Sequence, residues 1–244
     1  MVKLEGFLNF LYSACWTASP YIPILQHKVS GLSFDFLMLN EVGYTAIFIS
    51  MILQYFFMDK GIGLFDLMYA LNGITLNTIN VFTKIYKISP IMDRYQLPYS
   101  AAFLVEKPHM NAKNKIIHNK MTRFYFRIVF FTIILMIFFI LGFCINLIDL
   151  RMLTTFLSTV KMCMSFIKNF PQIKQNTKQD MRKTFPILQS CLDMTGCIAL
   201  MIYTIKIGFN FTKFSISLVT FTFLSIYICQ YVKSTKVIHK PTIY

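Results

Sequence analysis

Seven apolar runs constrain this chain more than any other feature, because each run is about as long as a bilayer is thick. A transmembrane helix needs about 17–25 mostly apolar residues. The seven runs are Phe7–Leu25, Leu32–Met58, Leu64–Phe82, Phe126–Ile145, Met152–Phe170, Phe185–Ile205 and Phe214–Val232. We therefore predict an all-α membrane protein with seven transmembrane helices.

The composition excludes several other classes of protein. Of the 244 residues 56% are apolar and 14% are charged, and the mean hydropathy of +0.57 is too high for a soluble domain. We predict no enzyme activity, no cofactor and no metal site. The net charge of +14 would suit nucleic acid on one folded face, but membrane proteins collect Lys and Arg on cytoplasmic loops. We expect no nucleic-acid partner.

The basic residues also predict how the chain crosses the membrane. The segments after the first, third, fifth and seventh runs carry 16 Lys and Arg residues, against five in the segments on the other side. Cytoplasmic loops carry the excess of Lys and Arg in membrane proteins. This places the amino terminus outside or in a lumen, and the carboxyl-terminal tail in the cytosol.

A segment of the second run recurs in the sixth. Residues 31–43 align with residues 184–196 at a constant offset of 153 positions, which pairs Asn40 with Asp193 and Gly43 with Gly196. Chance similarity between apolar helices is the alternative. If the repeat is real, spans 1–3 and 5–7 are two parallel copies joined by span 4. The predicted units are a first repeat (1–83), a basic cytosolic linker (84–123), a linking helix (124–150), a second repeat (151–232) and a cytosolic tail (233–244).

Charged residues inside the predicted spans need a reason, because each costs about 2.5–3.5 kcal/mol at the bilayer centre on insertion scales. We single out five of them: Glu41, Asp66, Lys161, Lys168 and Asp193. Lys161 and Lys168 are two helical turns apart and share a face, and Gln189 precedes Asp193 by one turn. Two readings stay open: the opposite charges bind a zwitterionic ligand, or they neutralise each other as buried pairs. Asparagines on the third span serve helix association or ligand binding equally well.

The end of the fifth span contains a predicted hinge. Pro171 removes a backbone donor and frees the carbonyl one turn earlier, which kinks a helix. The freed polar backbone must then face protein or water. A proline that simply ends the helix is the alternative.

Several of these motifs together resemble the PQ-loop transporters, and the cystinosin branch is the most similar. The matching segments are Gly31-Leu32-Ser33-Phe34-Asp35-Phe36, Leu39-Asn40-x-x-Gly43, Phe170-Pro171-Gln172 followed by Asn176, and Leu192-Asp193-x-Thr195-Gly196. The first Pro-Gln motif is eroded to Pro20-Tyr21-Ile22-Pro23, so its gating role is in doubt. The resemblance implies two three-helix repeats joined by a linking helix (3+1+3), and proton-coupled export of cystine.

The resemblance also implies roles for individual residues. Asp66 and Asp193 would be the proton-coupled carboxyls, and Pro171 and Gln172 the hinge. The substrate-facing residues would be Tyr12, Trp16, Asn40, Lys161, Lys168, Asn176, Gln189 and Asp193.

The predicted function is therefore a proton-coupled carrier in the membrane of a lysosome or vacuole-like organelle. It would export cystine, or a related zwitterionic amino acid, from the acidic lumen to the cytosol by alternating access. Its partners would be this substrate, protons and the lipid bilayer; the partner of the linker is unknown. The alternatives are a PQ-loop carrier for a cationic amino acid or a sugar, and a non-transporting cargo receptor of the same fold. A seven-span receptor is disfavoured, because Asp93-Arg94-Tyr95 lies in the predicted linker.

Overall fold

The computed structural model describes residues 2–58, 64–94, 112–177, 180–207 and 211–237, and this part of the chain is helical with no β-strand. The α-helices are α1 (Val2–Ala18), α2 (Ile22–Leu25), α3 (Phe34–Phe57), α4 (Leu64–Arg94), α5 (Ala112–Cys144), α6 (Leu150–Ile167), α7 (Asn169–Asn176), α8 (Met181–Thr184), α9 (Ile187–Ile207) and α10 (Phe211–Val237). Short 3-10 turns cover Ser19–Tyr21 and Val29–Gly31. The all-α prediction agrees with this structure.

Five helical stretches of the described chain are long and apolar enough to cross a membrane. They are Phe34–Phe57, Arg123–Cys144, Leu150–Asn176, Ile187–Lys206 and Lys213–Ser234, and they correspond to the second and the fourth to seventh predicted spans. The first and third predicted spans are not among them. Helix α1 is only 17 residues long, and α4 carries Asp66 and several asparagines. The seven-span arrangement therefore stays a prediction.

Some helix ends differ from the predicted boundaries. The first helix ends at Ala18 instead of continuing to Leu25, since Pro20 and Pro23 interrupt the backbone hydrogen bonds there. Helix α4 continues to Arg94 and α5 begins at Ala112, so both described ends of the predicted 84–123 linker are helical. Residues 95–111 of the linker and 238–244 of the tail lie outside the described residues.

Two helices begin with the side-chain caps that their sequences favour. The Ser33 hydroxyl accepts from the Phe36 backbone N–H at the start of α3, and the Asp149 carboxylate accepts from the Met152 N–H at the start of α6. A cap of this kind satisfies one of the backbone donors that a helix start leaves without a partner. The short polar residues before each apolar run therefore mark where these helices start.

Helices from the two halves of the chain pack across each other. Helix α3 packs most extensively on α6, and α1 packs on α9. Within each half, α3 also packs on α4, and α9 on α10. Smaller contacts join α1 to α4 and α6 to α10. If α1 is exchanged with α6, α3 with α9 and α4 with α10, the same set of packed helix pairs is obtained.

Helix α5 lies at the side of the bundle and exposes most of its surface. Its buried residues Tyr125, Val129 and Met136 recur at helical spacing and join a core with α3 and α6. Phenylalanines on its other faces, such as Phe131 and Phe138, are more than 60% exposed. An exposed apolar surface of this extent suits contact with lipid.

Candidate functional site

Charged and amide side chains of α3, α6 and α9 lie near one another in the interior of the bundle. The Lys168 ammonium, at the end of α6, donates to Asn40 Oδ1 on α3 at 2.7 Å. The Asp193 carboxyl on α9 lies beside Ser19 and interacts electrostatically with Lys168 and Lys161. We call Asn40, Lys161, Lys168 and Asp193 the central polar cluster. The structure thus brings together four residues that the sequence singled out.

Lys161 is buried in this cluster, with 7% of its surface exposed. Its ammonium lies 3.8 Å from the centroid of the Tyr44 ring, a distance at which an aromatic face attracts a cation. Tyr44 in turn packs against Gly73 of α4, where an added Cβ would lie 2.5 Å from the ring. The α4 backbone and Lys161 therefore hold Tyr44 in place.

The two repeat-related glycines allow close helix packing around the cluster. A Cβ at Gly43 would lie 3.2 Å from Met164 Cβ on α6. A Cβ at Gly196 would lie 2.5 Å from the Trp16 ring on α1. The Trp16 indole N–H also donates to the Asp193 carbonyl at 3.4 Å. Small residues let helix backbones approach closely, and here they bring α6 and α1 next to Asn40 and Asp193.

A run of aromatic rings connects the cluster to Asp66. The ring centroids of Tyr44 and Tyr69 are 5.9 Å apart, those of Tyr69 and Trp16 are 5.4 Å apart, and those of Trp16 and Tyr12 are 5.8 Å apart. The Tyr12 hydroxyl then donates to Asp66 Oδ1 at 3.1 Å. Asp66 therefore lies apart from the central polar cluster, at the other end of this aromatic run.

The predicted hinge residue Gln172 is fully buried and acts as a clamp between the two halves. Its Oε1 accepts from the Ser33 backbone N–H at 2.7 Å, and its Nε2 donates to the Gly31 carbonyl at 3.0 Å and to Asn176 Oδ1 at 2.7 Å. Asn176 Nδ2 donates to Gln230 Oε1 on α10 at 3.1 Å. These bonds attach the Pro-Gln segment to the start of α3, and they use Asn176 within the clamp and not in the central polar cluster.

Pro171 lies at a position where a helix tolerates proline. Only Lys168 separates α6 from α7, and its backbone N–H still donates to the Met164 carbonyl at 3.0 Å. Pro171 lies in the first turn of α7, where a missing N–H costs little. Gln189 is half-buried near the start of α9, one turn before Asp193.

Sequence reasoning missed two aromatic residues and one amide of this region. Tyr44 follows the repeat glycine Gly43 directly, and Tyr69 lies one helical turn after Asp66, so helical spacing from recognised residues was an available signal. Gln230 had no such signal, because it belongs to the clamp only through the packing of α10 on α7.

Apolar helices long enough to cross a bilayer, packed around lysines, an aspartate and an asparagine, define a multi-pass membrane protein with a charged interior. Such charges are rare within membrane-crossing helices and mark functional sites when they occur.

Comparison with known proteins gives two matches. Residues 153–213, which include most of α6 and all of α7, α8 and α9 with the Pro171-Gln172 pair, match the family described as PQ loop repeat. A cystine transporter of Saccharomyces cerevisiae is 29% identical over 264 aligned positions, which cover 95% of this chain and 94% of that protein. Both matches agree with the resemblance to PQ-loop transporters found in the sequence.

Proposed function

We propose that this protein is a proton-coupled transporter that exports cystine, or a related zwitterionic amino acid, from an acidic organelle lumen to the cytosol. The observation that carries this proposal is the central polar cluster, in which two lysines, an aspartate and an asparagine converge within one helical bundle. A zwitterion presents both carboxylate and ammonium groups. The similarity to a cystine transporter over nearly the whole chain supports cystine as the first substrate to test.

Each group of the cluster suits one part of such a substrate. Lys168 is a point charge that can bind a carboxylate, and Asp193 can accept from an ammonium group. The Asn40 amide can donate or accept. In this structure the Lys168 ammonium donates to Asn40. When a substrate carboxylate binds, it replaces Asn40 as the acceptor, so the ammonium keeps a hydrogen-bond partner.

Asp66 is the proposed proton carrier, with Tyr12 as its partner. The Tyr12 hydroxyl is a donor to Asp66 in this structure, and the rings between Tyr12 and Tyr44 lead from Asp66 toward Lys161. This placement separates proton binding at Asp66 from substrate binding at Lys168. Asp193 belongs to the cluster itself and serves both tasks.

Alternating access would come from two three-helix repeats, α1, α3 and α4 against α6, α9 and α10, joined by α5. The symmetric set of helix pairings supports this arrangement. The substrate site lies where helices of both repeats meet, as in other carriers built from repeats. Pro171, three residues after Lys168, is the proposed hinge, because it lacks the N–H of a regular helix.

The proposed orientation places the amino terminus in the lumen of a lysosome or vacuole-like organelle and the carboxyl terminus in the cytosol. It rests on the 16 basic residues against five. A tag after Tyr244 should be accessible to antibody when only the plasma membrane is permeabilised, and a tag before Met1 should not. The reverse pattern would contradict the orientation and the direction of transport.

The substrate is tested by uptake into vesicles that contain the purified protein, with a panel of labelled amino acids and sugars at acidic outside pH. We expect saturable uptake of cystine or another zwitterionic amino acid. Uptake of lysine or a sugar instead would identify a different PQ-loop carrier. Saturable binding without any flux would identify a non-transporting receptor.

A further inference from the structure

A chain of hydrogen bonds runs from the central polar cluster to Glu41, which the proposed mechanism does not use. Lys168 donates to Asn40 Oδ1 at 2.7 Å, and Asn40 Nδ2 donates to Asn77 Oδ1 at 3.1 Å. Asn77 Nδ2 donates to Glu41 Oε2 at 2.6 Å and to the Leu37 carbonyl at 2.9 Å. Every bond in this chain has its donor on the Lys168 side and its acceptor on the Glu41 side.

The two ends of the chain set the orientation of both amides. An asparagine amide can present either its oxygen or its NH₂ group in a given direction. The Glu41 carboxylate and the Leu37 carbonyl only accept, so they fix the NH₂ group of Asn77 toward themselves. The Asn77 oxygen must then face Asn40, and it fixes the Asn40 NH₂ group in turn. The oxygen of Asn40 is left pointing to Lys168.

Glu41 is not itself free to bind a substrate. Its Oε2 accepts from Asn77 and its Oε1 accepts from the Thr78 hydroxyl at 2.9 Å. Asn77 is 3% exposed and Asn40 is 9% exposed, so water has little access to the two amides that connect them. The hydrogen-bonded route from Glu41 to Asn40 therefore passes through Asn77.

We infer that Glu41 is a positioning residue, an inference that rests on the proposed function. Through Asn77, Glu41 holds Asn40 Oδ1 in place as the acceptor for the ammonium group of the amino-acid substrate. When Lys168 turns from Asn40 to the substrate carboxylate, the Asn40 oxygen loses its donor. Without Glu41 and Asn77, the amide can rotate and present NH₂, which repels an ammonium group. With them, the oxygen stays in place and recognises the ammonium.

The test compares two probes on three variants of the full chain. The probes are labelled cystine and 3,3′-dithiodipropionate, the analogue of cystine that lacks both ammonium groups, measured by direct binding and by competition. Glu41→Leu removes the carboxylate acceptor of Asn77 and leaves its NH₂ group only the Leu37 carbonyl. Glu41→Gln keeps an acceptor oxygen for Asn77 and can offer its NH₂ group to Thr78. Thr78→Val removes the neighbouring hydrogen bond and leaves the bond between Asn77 and Glu41 intact.

We expect Glu41→Leu to weaken cystine binding about tenfold and to leave the affinity for dithiodipropionate unchanged. Glu41→Gln and Thr78→Val should stay near the wild type for both probes. If Glu41→Leu weakened the affinity for both probes equally, Glu41 would have a purely structural role and the inference would be overturned. A Glu41→Gln variant as impaired as Glu41→Leu would also overturn it, since orientation would then not be the cause.

A second measurement covers the case in which dithiodipropionate binds too weakly to compare. In a chain that already carries Asn40→Leu, adding Glu41→Leu should not weaken cystine binding further, because Glu41 acts only through Asn40. Additive losses would contradict the inference. Failure of the proposed function is a separate result, namely no saturable cystine binding by the wild-type chain.

Discussion

Gly31 and Thr184 are aligned with each other in the predicted repeat at offset 153, and the structure places them against each other. A Cβ on Gly31 would lie 2.0 Å from the Thr184 carbonyl oxygen and 2.4 Å from its carbonyl carbon. In an arrangement with two-fold symmetry, equivalent residues touch only near the axis. The contact between Gly31 and Thr184 therefore marks where an axis relating the two halves would pass.

The first prediction concerns this contact. Gly31→Ala places a methyl group closer to the Thr184 carbonyl than van der Waals contact allows, and the backbone there cannot move aside as a flexible side chain would. We expect destabilisation of at least about 1–3 kcal/mol, seen as a lower Tm of the purified protein in detergent. Gly6→Ala is the matched control, because no atom lies within 4 Å of a Cβ at Gly6. Equal Tm values for the two variants would contradict the close approach.

The second prediction concerns the clamp. Gln172→Leu leaves the Gly31 carbonyl and the Ser33 N–H without this buried partner, and each such loss costs about 1–3 kcal/mol. The control Gln175→Leu removes a longer bond, 3.3 Å, to the same Gly31 carbonyl. Thermal unfolding should therefore show a clearly larger loss for Gln172→Leu than for Gln175→Leu. Similar Tm values for the two variants would mean that the hydrogen bonds of the clamp contribute little to the association of the two halves.

The all-α fold was predictable from the sequence, because apolar runs of bilayer length are local patterns. The end of α1 at Ala18 was less predictable, since two prolines compete with an apolar run that continues to Leu25. The helical ends of the predicted linker were also missed. Proline and scattered charges indicated a loop there, yet α4 continues through Ile91 to Arg94.

The third prediction concerns Lys168 as the anchor for a substrate carboxylate. Lys168→Met keeps most of the side-chain volume and removes the charge, so saturable binding of labelled cystine should be lost. Lys233→Met, an exposed position near the end of α10, is the control and should bind as the wild type does. Both variants are first compared by Tm to establish that they fold. Unchanged cystine binding by Lys168→Met would move the carboxylate site to Lys161 or exclude cystine as the ligand.

The fourth prediction separates the two aspartates. Asp66→Asn should keep substrate binding and exchange but remove the dependence of net flux on the pH gradient. Asp193→Asn should weaken binding itself, because a charge-assisted contact is worth roughly 1.5–3 kcal/mol. Proton current and counterflow exchange are measured on both variants in one vesicle preparation. Identical behaviour of the two variants would contradict the division of roles.

Tyr12→Phe extends this comparison, because it removes only the hydroxyl that donates to Asp66. It should change the dependence of flux on pH while leaving the affinity for cystine near that of the wild type. A large loss of cystine affinity in Tyr12→Phe would instead place the Tyr12 hydroxyl in the substrate site.

The charged residues of the site were recognisable from the sequence because charge inside an apolar run is conspicuous. Their partners were not, since they depend on which helix faces which. Asn176 shares the Pro-Gln segment with Lys168, but its amide belongs to the clamp with Gln172 and Gln230. Asn77 looked like one of several amides on α4, and only the packing of α4 on α3 places it between Asn40 and Glu41.

The most direct test of proton-coupled cystine transport is the flux of labelled cystine into vesicles that contain the purified protein, with the pH gradient imposed, abolished and reversed. Since a proton moving down its gradient drives the substrate with it, uptake should exceed equilibrium only when the side from which cystine enters is the more acidic. Dissipating the gradient with a protonophore should reduce uptake to simple equilibration, and empty vesicles provide the background. Uptake that is the same in all three conditions would contradict the account.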